Sequence, residues 1–240
     1  MELSPRLMAI AKEVKEGEIV ADIGTDHGYL PIYLLKHGFS PKVYASDINK
    51  GPLQSCVENA RVYGVADRVV IKQGPGTAPI KGIDIDLVII AGMGGQLIIE
   101  ILEESKVLLD RGIPFLVQPM QQQRELRKYL YNNNYWIEKD ALVMEGEKVY
   151  EFLRIRHTGV SNLKTPHEMK SDLPLEKQFE LGFFLKDQPK HLRDKFLKIK
   201  LIQKEKILNE TEGKSGPKVR AAREKALEKK KILEEALKWL

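Results

Sequence analysis

Ala21-Asp22-Ile23-Gly24-Thr25-Asp26-His27-Gly28-Tyr29-Leu30 joins a short apolar, β-rich run at residues 19–23 to a helical pattern at 32–37. A glycine-rich turn at the first strand-to-helix junction is where doubly wound folds bind nucleotide-like ligands. The spacing here is Gly-x-x-x-Gly, not the Gly-x-Gly-x-x-Gly of dinucleotide sites. A pyrophosphate at this helix start would also face Asp22 and Asp26 at a coulombic cost. An adenosine ligand bearing positive charge, as S-adenosylmethionine does on its ammonium and sulfonium, would be attracted by the same acids. Asp22, Gly24, Thr25, Asp26, His27 and Gly28 are therefore candidate cofactor contacts. On the loop alone, a tight turn with solvated acids stands as the alternative.

Similar runs recur at residues 43–46, 69–73, 87–91 and 114–118, and helical patterns lie between them at 53–63, 96–109 and 122–131. This alternation predicts right-handed βαβ units, with a parallel sheet covered by helices on both faces. Two more β-rich runs, 135–144 and 149–156, flank Gly146 closely enough to form an antiparallel hairpin. The expected fold is α/β and Rossmann-like, with a seven-stranded, mostly parallel sheet. The second run ends in Asp47-Ile48, 25 residues after Asp22, near the spacing at which a carboxylate accepts ribose hydroxyls. The alternative for Asp47 is a turn former or helix cap. Ala91-Gly92-Met93-Gly94-Gly95 follows the fourth run, and glycines there let a backbone approach a ligand closely or let the next helix pack tightly.

The chain has 240 residues, 42% hydrophobic and 30% charged, which suits a packed core rather than disorder. Its single cysteine, Cys56, allows no intrachain disulfide and suits a reducing cytosol. The first residues carry no uninterrupted apolar stretch of the secretory kind, and the most apolar run, residues 87–93, is too short to span a bilayer. A cytoplasmic protein without membrane attachment is expected. From Ser161 onward, 20 Lys and Arg face 13 Asp and Glu, a net +7; the remainder holds 19 and 21, a net −2. Such an asymmetry points to a polyanionic partner, or else to a solvated lysine-rich helical surface. Residues 160–174 read as a linker, and two helices are expected at 189–209 and 218–239. In the second, Val219, Ala226, Leu233 and Leu240 recur every seven residues, with Ala222 and Ala236 as companions and Lys229 interrupting. The expectation is an antiparallel coiled-coil hairpin. The chain divides into a catalytic domain at 1–159 and a basic helical domain at 160–240. Removing the second is expected to leave cofactor binding nearly intact.

Together these residues resemble the bacterial tRNA (adenine-22-N1)-methyltransferase family. The resemblance runs through Ser4-Pro5-Arg6-Leu7, the stretch from Asp22 to Pro31, Ala91-Gly92-Met93-Gly94-Gly95, Gln118-Pro119, Tyr150-Glu151 and the C-terminal helical hairpin. It implies a class I methyltransferase that uses S-adenosylmethionine, needs no metal, and holds tRNA with its C-terminal coiled coil. It implies cofactor contacts from the first loop, Asp47, Ile48, Gly74, Pro75, Gly76, Ala91, Gly92, Met93 and Gly94. Gln118, Pro119 and Arg6 would face the substrate. Two positions depart from the family. Pro75 stands where Gly-Asp-Gly is usual, leaving the adenine amino group to backbone partners. Met120 stands where Asn often follows Gln-Pro, removing a polar group near the target base.

The sulfonium is an activated methyl donor, so the implied task is to align N1, methyl and sulfur and to stabilise the positive charge that develops. Asp26 is the candidate for facing that charge, or else it holds the cofactor's ammonium. Tyr29 either stacks on the base or caps its helix, and His27 shapes the loop. N1 lies on the Watson–Crick edge, so the target base must be unpaired or flipped out. A monomer is expected. Other readings are a methyltransferase for a different RNA site, an RNA-binding or coiled-coil protein with a vestigial fold, a small-molecule methyltransferase and a nicotinamide oxidoreductase. The loop spacing and its acids disfavour the last, and a small-molecule enzyme would not need the basic hairpin.

Overall fold

The computed structural model describes residues 1–159 and 173–239. Strands β1 (Val20–Ile23), β2 (Val43–Asp47), β3 (Val69–Gln73), β4 (Leu87–Met93), β5 (Phe115–Pro119), β6 (Tyr135–Glu145) and β7 (Lys148–His157) form one sheet in the order β3-β2-β1-β4-β5-β7-β6. β1 to β5 are parallel, and the β6–β7 hairpin adds to β5 antiparallel. The expected seven-stranded, Rossmann-like architecture is therefore present. Side chains alternate across the central strands, as strand geometry requires. Ala21, Ile23, Val88, Ile90 and Val117 enter one core, while Val20, Leu87, Ile89 and Leu116 enter the other.

The first core is covered by α4 (Gly95–Glu104), α5 (Lys106–Asp110) and α6 (Gln123–Asn132), and the second by α1 (Pro5–Ala11), α2 (Tyr29–Lys36) and α3 (Lys50–Val62). The seven-residue α1 was not expected. Ser4 caps it by accepting the Leu7 N–H, and Pro5 suits the first turn. The single helix expected over residues 96–109 is two. Ser105 breaks it, its hydroxyl bonded to the Ile101 carbonyl at 2.5 Å and to Thr77 Oγ1 at 2.7 Å.

Most of the expected linker lies outside the described residues. Pro174 begins α7 (Leu175–Leu181), another unexpected helix, whose Phe179 is buried in the first core. The two long helices are present as α8 (Lys190–Glu210) and α9 (Pro217–Trp239). They run antiparallel: Arg223 donates to the Leu208 carbonyl and Lys230 pairs with Glu205. Ala226, Leu233 and Ala236 are buried, as their spacing predicts, whereas Ala222 is exposed and Leu240 lies outside the described residues. Near the hairpin tip, α9 needs only a narrow stripe against α8. Farther along, Leu233 and Ala236 also meet Leu181 of α7 and Leu142 of β6 in a third core. Lys229, instead of interrupting the seam, pairs with buried Glu180 at 2.8 Å.

Candidate functional site

The sheet order reverses between β1 and β4, and in open α/β sheets the ligand crevice lies outside the carboxyl ends of the strands at such a switch point. Ile23 lies in register with Ser46 on one side and Ile90 on the other. The Ser46 carbonyl accepts the Gly24 and Thr25 N–H groups at 2.7 and 3.1 Å, folding the turn back over the strand end. Gly28 caps α2 with φ +74°, and a Cβ there would lie 2.3 Å from Cys56 Sγ. Only glycine lets α2 begin so close to α3. The Met93 methyl sits over Gly24, so the first loop and the end of β4 are in contact.

Asp22 is buried, and no basic side chain pairs with it among the described residues. Burial, and secondarily Asp47, pushes its carboxyl up to about 6. Asp47 is half-buried and accepts the Asn49 N–H at 2.8 Å, and Ile48 beside it is 62% exposed. Asp26 adopts φ +48° and lies open to solvent, 3.5 Å from His27 Nε2. The half-exposed Tyr29 ring is 5.5 Å from the His27 ring. Gly28 occupies the cap position, so Tyr29 is the first helical residue and not the cap. Asn59, which sequence reasoning did not single out, donates from α3 to the His27 carbonyl at 3.0 Å and fixes the loop. Gly74 donates its N–H to the Asp47 carbonyl, which brings residues 74–76 to the end of β2.

On the opposite wall, the β4–β5 register slips between Ala91 and Met93, and Gly92 takes φ +83°. Gln118 is fully buried, and its Oε1 accepts from Gly92 N–H at 3.1 Å and Arg6 Nη1 at 2.7 Å. The Arg6 guanidinium also lies 5.5 Å from the centre of the Tyr150 ring. Arg6, Gln118 and Gly92 therefore form one cluster, and Pro119 ends β5 beside it. Sequence reasoning missed the next turn. Gln121 O accepts the Gly95 N–H at 2.9 Å, and Gln122 Oε1 accepts the Gln96 N–H at 3.2 Å. Gln122 holds φ +59°, a rare value for a side chain that length. The run of three glutamines after Pro119 and Met120 was the available signal. Glu151 lies elsewhere, bonded to Arg127 at 2.6 Å and to Lys200 at 3.0 Å. Among the described residues, no group of His, Cys, Asp or Glu is placed to hold a metal, and no helix is long and apolar enough to cross a membrane.

A family model described as a methyltransferase domain matches residues 3–153. The tRNA (adenine(22)-N(1))-methyltransferase of Bacillus subtilis (strain 168) is 34% identical over 153 residues, spanning 64% of this chain and 64% of the relative. The crystal structure of the B. subtilis M1A22 tRNA methyltransferase TrmK superposes with a TM-score of 0.80 at 26% identity, covering 98% of each chain. The chain belongs to the tRNA (adenine(22)-N(1))-methyltransferase family. Another structure, M. capricolum TrmK in complex with S-adenosyl-homocysteine, has a TM-score of 0.71 at 26% identity and covers 98% of this chain and 99% of that one.

As a member of this family, the chain has residues that fit S-adenosylmethionine. Buried Asp22 lacks a cationic partner among the described residues, which suits a ligand bringing its own positive charge. The Asp47 carboxylate remains accessible for hydroxyl groups, and exposed Ile48 offers an apolar face to an adenine ring.

Proposed function

We propose that this chain methylates N1 of adenine 22 in tRNA with S-adenosylmethionine as donor. The observation that carries the reading is the pair of acids at the strand ends, Asp22 buried without a counter-ion among the described residues and Asp47 open beside Ile48, across the crevice from Gly92–Gly94. When bound there, S-adenosylmethionine supplies a methyl group already activated by the sulfonium.

The chain's own residues do the rest. Asp22 and the 24–28 turn hold the cationic end, and Asp47 accepts the ribose hydroxyls. Ile48 and the backbone of residues 74–76 border the adenine ring, with Pro75 contributing no N–H. Gly92, Met93 and Gly94 leave room for the reacting centre because their backbone carries no bulky Cβ at two of three positions. Gln118 fixes both Gly92 and Arg6, so Arg6 is held at the mouth of the site instead of sweeping through solvent. Asp26, exposed at the rim, suits an acid that faces a forming cationic base better than one that grips the cofactor from below. Tyr29 beside it presents a half-exposed ring on which a flipped base stacks.

The reading includes a division at residue 159 and a basic helical arm that meets tRNA phosphates. It also includes a monomeric, cytoplasmic enzyme. The lone cysteine, buried and free, is in keeping with a reducing compartment. Titration calorimetry with S-adenosylmethionine and with NAD, followed by methyl transfer to a tRNA transcript, tests the assignment. Binding of the first ligand alone, with transfer, supports it. NAD binding, or cofactor binding without transfer to any RNA, overturns it.

A further inference from the structure

A cleft of ≈ 450 Å³ lies between the turn after β5, the start of β7 and the α8–α9 pair, separate from the crevice between β1 and β4. Five basic side chains line it against three acidic ones. Three of the cations are already paired: Lys200 with Glu151 at 3.0 Å, Lys229 with Glu180 at 2.8 Å and Arg124 with Glu176 at 2.6 Å. The Lys148 and Lys204 side chains make no hydrogen bond or ion pair with any described residue. Lys148 is exposed, whereas Lys204 is half-buried near one carboxylate, Glu180, and three ammoniums, Lys229, Lys200 and Lys225. Burial lowers the Lys204 pKa; Glu180 opposes that, and Lys229, Lys200 and Lys225 add to it. A partly desolvated ammonium with three ammoniums and a single carboxylate around it, that carboxylate already paired with Lys229, is a position that a further anion would stabilise.

The cleft also leads to the crevice. Its wall includes Gln121 and Gln122, which bond the first turn of α4 next to Gly94, and Tyr150, which carries the Arg6 guanidinium on its ring. Arg6 in turn reaches Gln118 and through it Gly92. A polyanion lying in the cleft thus passes the reacting end of the crevice.

We propose that the cleft seats the sugar-phosphate backbone of the tRNA segment adjoining the target adenine, with Lys148 and Lys204 as its phosphate contacts. This rests on the tRNA reading above and narrows it from a generally basic helical arm to one groove shared by both parts of the chain. Phosphate contacts position a nucleic acid without reading its sequence, so these lysines set where the backbone lies and the crevice selects the base.

The test compares the full-length Lys148→Ala/Lys204→Ala protein with a charge-matched control, Lys12→Ala/Lys81→Ala, whose lysines are exposed and outside the cleft. Methyl transfer to a tRNA transcript is measured at several salt concentrations, with cofactor affinity and Tm alongside. The cleft variant is expected to raise the KM for tRNA about ten-fold, with cofactor affinity unchanged. The slope of log affinity against log salt should fall by roughly 1.4–1.8, as loss of two phosphate contacts requires. Its Tm should not drop, because removing Lys204 relieves repulsion. A control that raises KM as much as the cleft pair would overturn the proposal, as would a cleft variant with wild-type KM and salt slope. Failure of the tRNA reading itself looks different: the wild-type protein would then show no saturable tRNA dependence at all.

Discussion

Asp22 is a carboxyl held in the core with no cation beside it among the described residues, and its raised pKa of about 6 has a consequence for pH. Raised well above the ordinary aspartate range, the folded-state carboxyl retains its proton where the unfolded chain has lost it. Its contribution favours folding at low pH and is lost as pH rises from about 4 through 6, on the order of 3 kcal/mol in all. Relative to Asp22→Asn, the cofactor-free wild type should therefore lose stability between pH 4.5 and 7. Parallel pH profiles of the two proteins would show no growing gap if Asp22 were ionised throughout. Asp26 is the converse case, exposed and without structural duties beyond its turn. Asp26→Asn should leave the free energy of unfolding within about 0.5 kcal/mol of wild type yet lower kcat by ten-fold or more. Single-turnover methyl transfer at the wild-type rate would remove Asp26 from the chemistry. Both acids were legible in the sequence because they bracket a glycine turn after a strand. What separates them, burial of one and exposure of the other, was not, since it depends on α3 and β2 closing over the strand end.

At the scale of elements, periodicity placed all seven strands and the six helices long enough to show it, usually within a residue or two. The short helices α1 and α7 escaped because seven residues give barely two helical turns of pattern. Ser105 was misread as interior because its hydroxyl's partner, Thr77, is distant in sequence. The Gln121–Gln122 turn escaped for a related reason. Its function is to bond the first turn of α4, and nothing local to residues 120–123 announces that. Gly95 shows how close this packing is: a Cβ there would stand 2.5 Å from the Gln122 carbonyl oxygen and 2.9 Å from that of Gln121. Both obstacles are backbone, so Gly95→Ala must displace the turn. We expect a loss of about 1–3 kcal/mol in denaturant unfolding, with methyl transfer reduced beyond what that loss explains. Wild-type stability in this variant would mean the turn yields freely and is not a fixed wall of the site.

For the whole molecule, the helical segment is less separable than its composition suggested. Arg127 is fully buried and bonded to both oxygens of Asp140, at 2.7 and 2.8 Å, and to Glu151. Glu151 in turn pairs with Lys200 of α8, and Phe183 donates its backbone N–H to Asp140. Glu151 is held below the usual carboxylate range despite its burial, by Lys200 first and then Arg127. Cutting the chain after residue 159 removes Lys200, Phe179 and Phe183 together. Breaking one partner of a buried ion pair costs about 3–5 kcal/mol, and truncation does that while stripping part of a core. These buried contacts argue against the expectation that residues 1–159 bind cofactor alone, and the truncated chain should lack a cooperative thermal transition. A sharp melt with intact S-adenosylmethionine binding would show that the segment is a mere appendage.

The central claim is the chemistry at one atom of one nucleotide, and one measurement reaches it. Two tRNA transcripts, one with adenine at position 22 and one with guanine there, would be incubated with the full-length protein and S-adenosylmethionine, then digested to nucleosides for mass spectrometry. The account predicts 1-methyladenosine from the first transcript and none from the second. Equal 1-methyladenosine from both, or a methylated nucleoside of another kind, would contradict it.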